Sequence, residues 1–157
     1  MTAISTPEQK LAALGITLPA PPSPGGNYVS AKRLGYVVYL SGVISTGPNG
    51  VITGTAGAGS TLEEGYAAAR ACTLTQLAVL ARELGSLDRV AEVLTVNGYV
   101  NAALGFADLP AIVNGASDLL VEVFGEAGRH VRAAIGVSGL PRNALVEIQM
   151  SVRVKEP

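Results

Sequence analysis

The chain has 157 residues, of which 48% are apolar and 15% charged, with a net charge of −1. That length suits one domain with a real core, and a mean hydropathy of +0.39 is high for a small soluble monomer, which hints at a buried subunit interface. The near-neutral charge argues against a protein that works by neutralising many phosphates, and two Phe, five Tyr and no Trp leave little material for stacking bases, so nucleic acid is not an expected partner.

At the N-terminus, MTAISTPEQK lacks a basic segment followed by an apolar one, and no stretch approaches the roughly 20 apolar residues of a membrane span. The expectation is a cytoplasmic protein without a membrane partner. Thr6 and Gln9 form a capping box with Pro7 at the first helical position, predicting a short helix to Leu14 that Gly15 ends. Residues 16–26 carry Pro19, Pro21, Pro22 and Pro24, which hold the backbone extended and remove ladder donors. Residues 1–26 are therefore expected to form a helix and an arm laid over the surface of a single domain spanning 27–157.

Tyr28–Lys32 and Leu34–Val43 read as two strands joined through Arg33, the second apolar on both faces and so expected to be central and covered on each side. Gly47-Pro48-Asn49-Gly50 predicts a turn into Val51-Ile52-Thr53. The glycines that follow match no phosphate-binding fingerprint. Thr61 and Glu64 make a second capping box, and Leu62, Tyr66, Ala69, Thr73, Leu77, Leu80 and Leu84 recur at helical steps until Gly85 supplies the C-terminal cap. Ala67, Ala68, Ala69 and Ala71 would let this helix lie close to a sheet. The lone Cys72 within it excludes a disulfide or a Cys-x-x-Cys site in one chain, leaving a buried inert thiol as its expected role.

Val90–Val100 alternates as a strand with Val93, Thr95, Asn97 and Tyr99 on one face. A second long helix falls between Asp108 and Phe124, with Asp108 as cap and Gly125 as terminator. Asn114-Gly115 sits awkwardly inside it: either the helix begins there, with Asn114 or Ser117 as cap, or the pair marks a bend near a site. From Gly128 to Val154 two β-rich runs flank Leu140-Pro141-Arg142-Asn143, which reads as an antiparallel hairpin. In its second strand Leu145, Glu147, Gln149, Ser151 and Arg153 share a polar face opposite Val146, Ile148, Met150, Val152 and Val154. In the first, Arg132 shares a face with Ala134, Gly136 and Ser138, small residues that leave room for a pocket. The element order predicts an α+β fold with helices packed on one face of the sheet.

These residues carry a resemblance. Arg132, Leu140-Pro141 and Val146-Glu147-Ile148, with Tyr28-Val-Ser-Ala and Tyr39-Leu40-Ser41-Gly42, resemble the signatures of the reactive intermediate deaminase (RidA/YjgF) family, also labelled L-PSP endoribonucleases, over 27–154. The arm and the 124–132 stretch resemble a less characterised branch of it. The resemblance implies a chorismate-mutase-like mixed sheet with two long helices, assembled as a homotrimer with three pockets between subunits. It also implies hydrolysis of 2-imino or 2-enamine acids to 2-keto acids and ammonia, without metal or cofactor. On it, Arg132 pairs with the substrate carboxylate, Glu147 handles the attacking water, and Tyr28, Gly42 and Asn114 line the pocket. His130, of the same parity as Arg132, is a further candidate contact.

The residue types suit that chemistry. A guanidinium offers a planar fork of donors for a carboxylate, and a partly buried Glu with a raised pKa can take a proton from water and return one to the leaving amine. Plainer roles stand beside these: Arg132 bonding backbone carbonyls at a subunit seam, Glu147 as an ion-pair partner or exposed strand residue, His130 as a satisfied structural group, Arg129 as a solvated charge. Val43, where many relatives carry Gln, and the longer 106–113 segment depart from the family pattern. They motivate a second reading, a non-catalytic binder of small carboxylates. Ribonuclease activity, the old label, is disfavoured for a net-acidic chain with one His.

Overall fold

A computed structural model describes residues 5–156 as one mixed sheet covered on one face by two long helices. Residues 1–4 of the expected N-terminal unit lie outside the described residues. Helix α1, Pro7–Ala13, starts at the expected capping box. Glu8 anchors it, its carboxylate accepting from Ser86 Oγ at 2.8 Å and from the Leu87 amide at 3.2 Å. The Pro-rich arm then crosses the surface, with Ile16 and Leu18 packed on the core and Arg82 Nη1 donating to Pro22 O at 3.2 Å.

Strands β1 (Ala31–Leu34) and β2 (Val37–Leu40) form a tight hairpin. Its turn falls at Gly35, whose φ of +61° is open to glycine, so the predicted strand 34–43 is broken at its start. It is broken again at Ser41-Gly42, where a bulge separates β2 from β3 (Val43–Ile44) although both pair with the same strand. The segment is also not covered on both sides: Val38 and Leu40 are buried under helix, whereas Tyr39 is half exposed on the open face. The turn at Pro48-Asn49 joins β4 (Thr46–Gly47) to β5 (Gly50–Val51) as expected.

Helix α2, Leu62–Leu84, runs between the predicted caps, with Thr61 and Glu64 bonded reciprocally and Gly85 left-handed. Cys72 is buried on it and donates to Val146 O at 3.4 Å, and loss of hydration pushes its thiol pKa far up, as an inert structural group requires. Helix α3, Leu109–Phe124, is continuous through Asn114-Gly115, so neither a late start nor a bend occurs there. Gly115 is needed for packing: a Cβ at that position would run into the Tyr66 carbonyl of α2. Asp108 precedes the helix without bonding its amides, contrary to the expected cap.

Strand β6, Val90–Asn101, is the spine of the sheet. Register shifts at Ala91 and Leu94 break its alternation, which moves Val93 to the buried face with Val90 and Val96 and leaves Thr95, Asn97 and Tyr99 on the open one. The larger correction concerns the last third. Strand β7, Val131–Val137, does not pair with β8, Val146–Val154; the sheet order is β1-β2-β8-β6-β7, with β6 between them. Strand β7 runs parallel to β6 and β8 antiparallel to it. The cause is the helix upstream: β6, α3 and β7 form a β-α-β unit, and a crossover helix places its two strands side by side and parallel. The 3-10 turn Pro141–Asn143 then carries the chain past the end of β6 rather than folding it back on β7, with Arg142 and Asn143 both at positive φ.

Candidate functional site

Sheet parity decides where the candidate side chains go. Arg132 is in register with Val96, a core residue, and its guanidinium reaches α3, donating through Nη1 to Ser117 Oγ at 3.1 Å and through Nη2 to Pro110 O at 3.3 Å. It therefore stands on the helix side of the edge strand. Glu147 alternates with Val146 and Ile148, both fully buried under the helices, and pairs with Tyr99, so it stands on the open side. The two residues are separated by β6 and, through Val96 and Met150, offset by three positions along the strands. Two strand spacings and three residues put their Cα atoms roughly 14 Å apart, with side chains on opposite faces.

The six candidates thus fall into two groups. The first is an open depression of about 240 Å³ lined by Asn114, Ser117, Val121, Arg129, His130 and Arg132. Arg132 keeps three of its five N–H bonds without a partner among the described residues, enough for a bidentate carboxylate. Ala134 and Gly136 continue its face, and a Cβ added at Gly136 would meet Leu109 of α3 at 3.4 Å. His130 is bonded at both ring nitrogens, Nδ1 to Gly128 O at 2.7 Å and Nε2 to Ser117 Oγ at 2.8 Å. Its pKa lies below the ordinary value, because burial and then the Arg132 charge outweigh the opposing bond to Gly128.

The second group is Glu147 and Gly42, to which Tyr28 is joined only through the backbone that follows it, its ring lying against Gly25 and Gly26. A Cβ at Gly42 would sit 2.5 Å from Glu147 Oε2, so the absence of a side chain there makes the space that the carboxylate occupies. Residues 29–30 are tied to the same bulge, Ser41 donating through its amide to Ser30 O and through Oγ to Val29 O. Tyr28 is half exposed, its hydroxyl accepting from the Gly25 amide at 3.1 Å. Partial burial raises the Glu147 pKa above its ordinary value, as general acid–base work needs. Among the described residues no three His, Cys, Asp or Glu side chains cluster as a metal site would require.

Two residues the sequence reading passed over complete the picture. Ser117, weighed only as a helix cap, joins His130 to Arg132. Gln76, on a face of α2 otherwise read as apolar cover, is fully buried, and its Nε2 donates to both Ser41 O and Ile148 O at 2.9 Å. It splices β2 to β8 across the gap that the bulge opens. A polar residue inside the run 72–80 was the available signal.

Comparison with known proteins agrees with this fold. Residues 8–153 match the family described as "YjgF/chorismate_mutase-like, putative endoribonuclease". The chain is 44% identical to Protein TCP17 of Trypanosoma cruzi, over 92% of this chain and 91% of that one. It is 32% identical to a 2-iminobutanoate/2-iminopropanoate deaminase of Dermatophagoides farinae, over 89% and 95%. A crystal structure under the same endoribonuclease description, from Shewanella oneidensis, superposes with a TM-score of 0.91 at 34% identity, covering 96% of this chain and 100% of that one. The sheet, with its two covering helices, thus belongs to a chain that is a member of the YjgF/RidA-like family, with the chorismate-mutase-like fold.

Proposed function

We propose that the protein hydrolyses reactive 2-imino or 2-enamine carboxylates to 2-keto acids and ammonia, at sites completed between copies of the chain in a homotrimer. The observation that carries this reading is the split of the two half-sites onto opposite faces of one sheet. Each half has what the other lacks: a guanidinium with free donors beside an open depression, and a carboxylate with a raised pKa in a glycine-made recess. The open face of the sheet, on the Glu147 side, bears half-exposed Tyr39 and Ile135 and exposed Val131, surface that a second copy would cover.

In this mechanism Arg132 takes the substrate carboxylate on its free N–H fork and fixes the imine carbon. Glu147 of the neighbouring copy accepts a proton from water as its oxygen bonds to that carbon. The carboxyl passes that proton to the nitrogen of the imine, the form in which an enamine also reacts, giving a carbinolamine. It then takes the remaining hydroxyl proton and hands it to the amine as the C–N bond breaks, so both protons of water end in ammonia and its oxygen in the keto acid. Such proton transfer contributes about 10²–10⁴-fold, enough for intermediates that hydrolyse unaided. The test is generation of 2-aminoacrylate in situ with keto-acid release followed: acceleration by the wild type and its loss in Arg132→Ala are expected, and wild type no faster than buffer removes the reading. Val43 motivates the second reading, a carboxylate binder, which saturable binding without turnover would favour.

A further inference from the structure

The depression around Arg132 contains a directed chain of hydrogen bonds that the deamination mechanism leaves unused. Gly128 O can only accept, so at 2.7 Å the neutral His130 ring carries its proton on Nδ1. Its Nε2 is then a lone pair and, at 2.8 Å, must take the Ser117 hydroxyl proton. With its proton committed there, Ser117 Oγ turns its own lone pairs towards Arg132 Nη1 at 3.1 Å. Pro110 O, at 3.3 Å from Nη2, is the second holdfast of the same guanidinium. The depressed pKa of His130 keeps the ring neutral near pH 7, as the directionality requires.

We infer that His130 and Ser117 are positioning residues, a relay running from the Gly128 carbonyl to Arg132 that fixes which edge of the guanidinium faces the ligand. His130 has no ring nitrogen left for a substrate and acts only through Ser117. The relay explains why a histidine stands two residues before the arginine: His130 immediately precedes β7, and both it and Arg132 reach Ser117 of α3. This inference rests on the reading of Arg132 as carboxylate anchor, but its first test does not need turnover.

Long-range ¹H–¹⁵N NMR of the free protein should show His130 as the Nδ1–H tautomer, with Arg132 guanidinium signals that broaden or sharpen towards free rotation in His130→Leu. An Nε2–H tautomer, or Arg132 signals unchanged in that variant, overturns the relay whatever the enzyme does. The second test is a double-mutant cycle on binding of 2-oxobutanoate and of its uncharged carboxamide. Ser117→Ala should weaken the carboxylate about tenfold and the carboxamide little, the loss expected for one bond to a charged group. Ser117→Thr and His130→Gln, which keep the hydroxyl and an acceptor, should recover most of it. His130→Leu should cost nothing more when added to Ser117→Ala. A further loss in that background, or covalent capture of Ser117 by a fluorophosphonate, overturns the assignment by making His130 a direct contact or Ser117 a nucleophile.

Discussion

Mixing two inactive variants tests the division of the site more sharply than either variant alone. On the proposed mechanism Arg132→Ala removes the anchoring half and Glu147→Gln the proton-handling half, and each homo-oligomer should be inactive. If every site takes one half from each of two neighbouring copies, a randomly mixed oligomer contains whole sites, in which the Glu147→Gln chain supplies an intact Arg132 and the Arg132→Ala chain supplies an intact Glu147. With equal amounts, half the copies offer an intact arginine and half an intact glutamate, so about a quarter of the sites are whole. The assay is keto-acid release after the two variants are unfolded together in urea and refolded, against each refolded alone. Recovery of roughly 25% of wild-type activity is expected from that random pairing. A mixture no more active than its parents refutes the division, because a site built within one chain has nothing to exchange. The roughly 14 Å and the intervening β6 derived from the strand register are what make the outcome unambiguous.

Other outcomes follow from single residues. Gly42→Ala should fold normally, because the obstructed atom ends a flexible side chain, yet lose kcat by about 10²-fold through displacement of the Glu147 carboxylate, read by steady-state kinetics beside a thermal melt. Glu147 has its pKa raised by burial, so the folded protein holds this proton longer than the unfolded chain. Its contribution to stability is full below the unfolded value and falls as pH rises through the folded one, so the Tm advantage of Glu147→Gln should grow across that window and then level off. Over the same window wild-type kcat should rise as the carboxylate forms; a flat profile would count against its role as base. Gly115→Ala drives a methyl into the backbone of α2 and should cost about 3 kcal/mol in urea unfolding.

What could be seen in the sequence was whatever local chemistry dictates. Both capping boxes, the Gly85 terminator and the greasy face of β8 are each written within a few residues, and each stands where it was expected. The pairing of β7 was not, because Leu-Pro-Arg-Asn is turn chemistry whether the chain doubles back or passes over a neighbour. The legible clue was one step earlier: strand, helix, strand over 90–137 is a crossover unit, which reserves the place beside β6 for β7. Val93 was misplaced for a related reason, since strict alternation has no way to anticipate the irregularity at Leu94. At the site, residue types pointed to Arg132 and Glu147, but the face each occupies depends on register and so on contacts far apart in sequence. Ser117 and Gln76 escaped notice because their partners, His130 and the carbonyls of Ser41 and Ile148, lie 13 to 72 residues away.

The Gln76 amide has a consequence for how the protein ages and fails. It fastens the recess beside Gly42 to a helix whose side chain there is wholly sealed from water, and Glu147 is flanked along the chain by two residues with no exposure at all. Enzymes whose acid–base group hangs on a loop fade on warming well before they melt. If Glu147 handles the proton as proposed, that wall of the site shares the fate of the interior, and heat inactivation and loss of tertiary structure should trace a single curve.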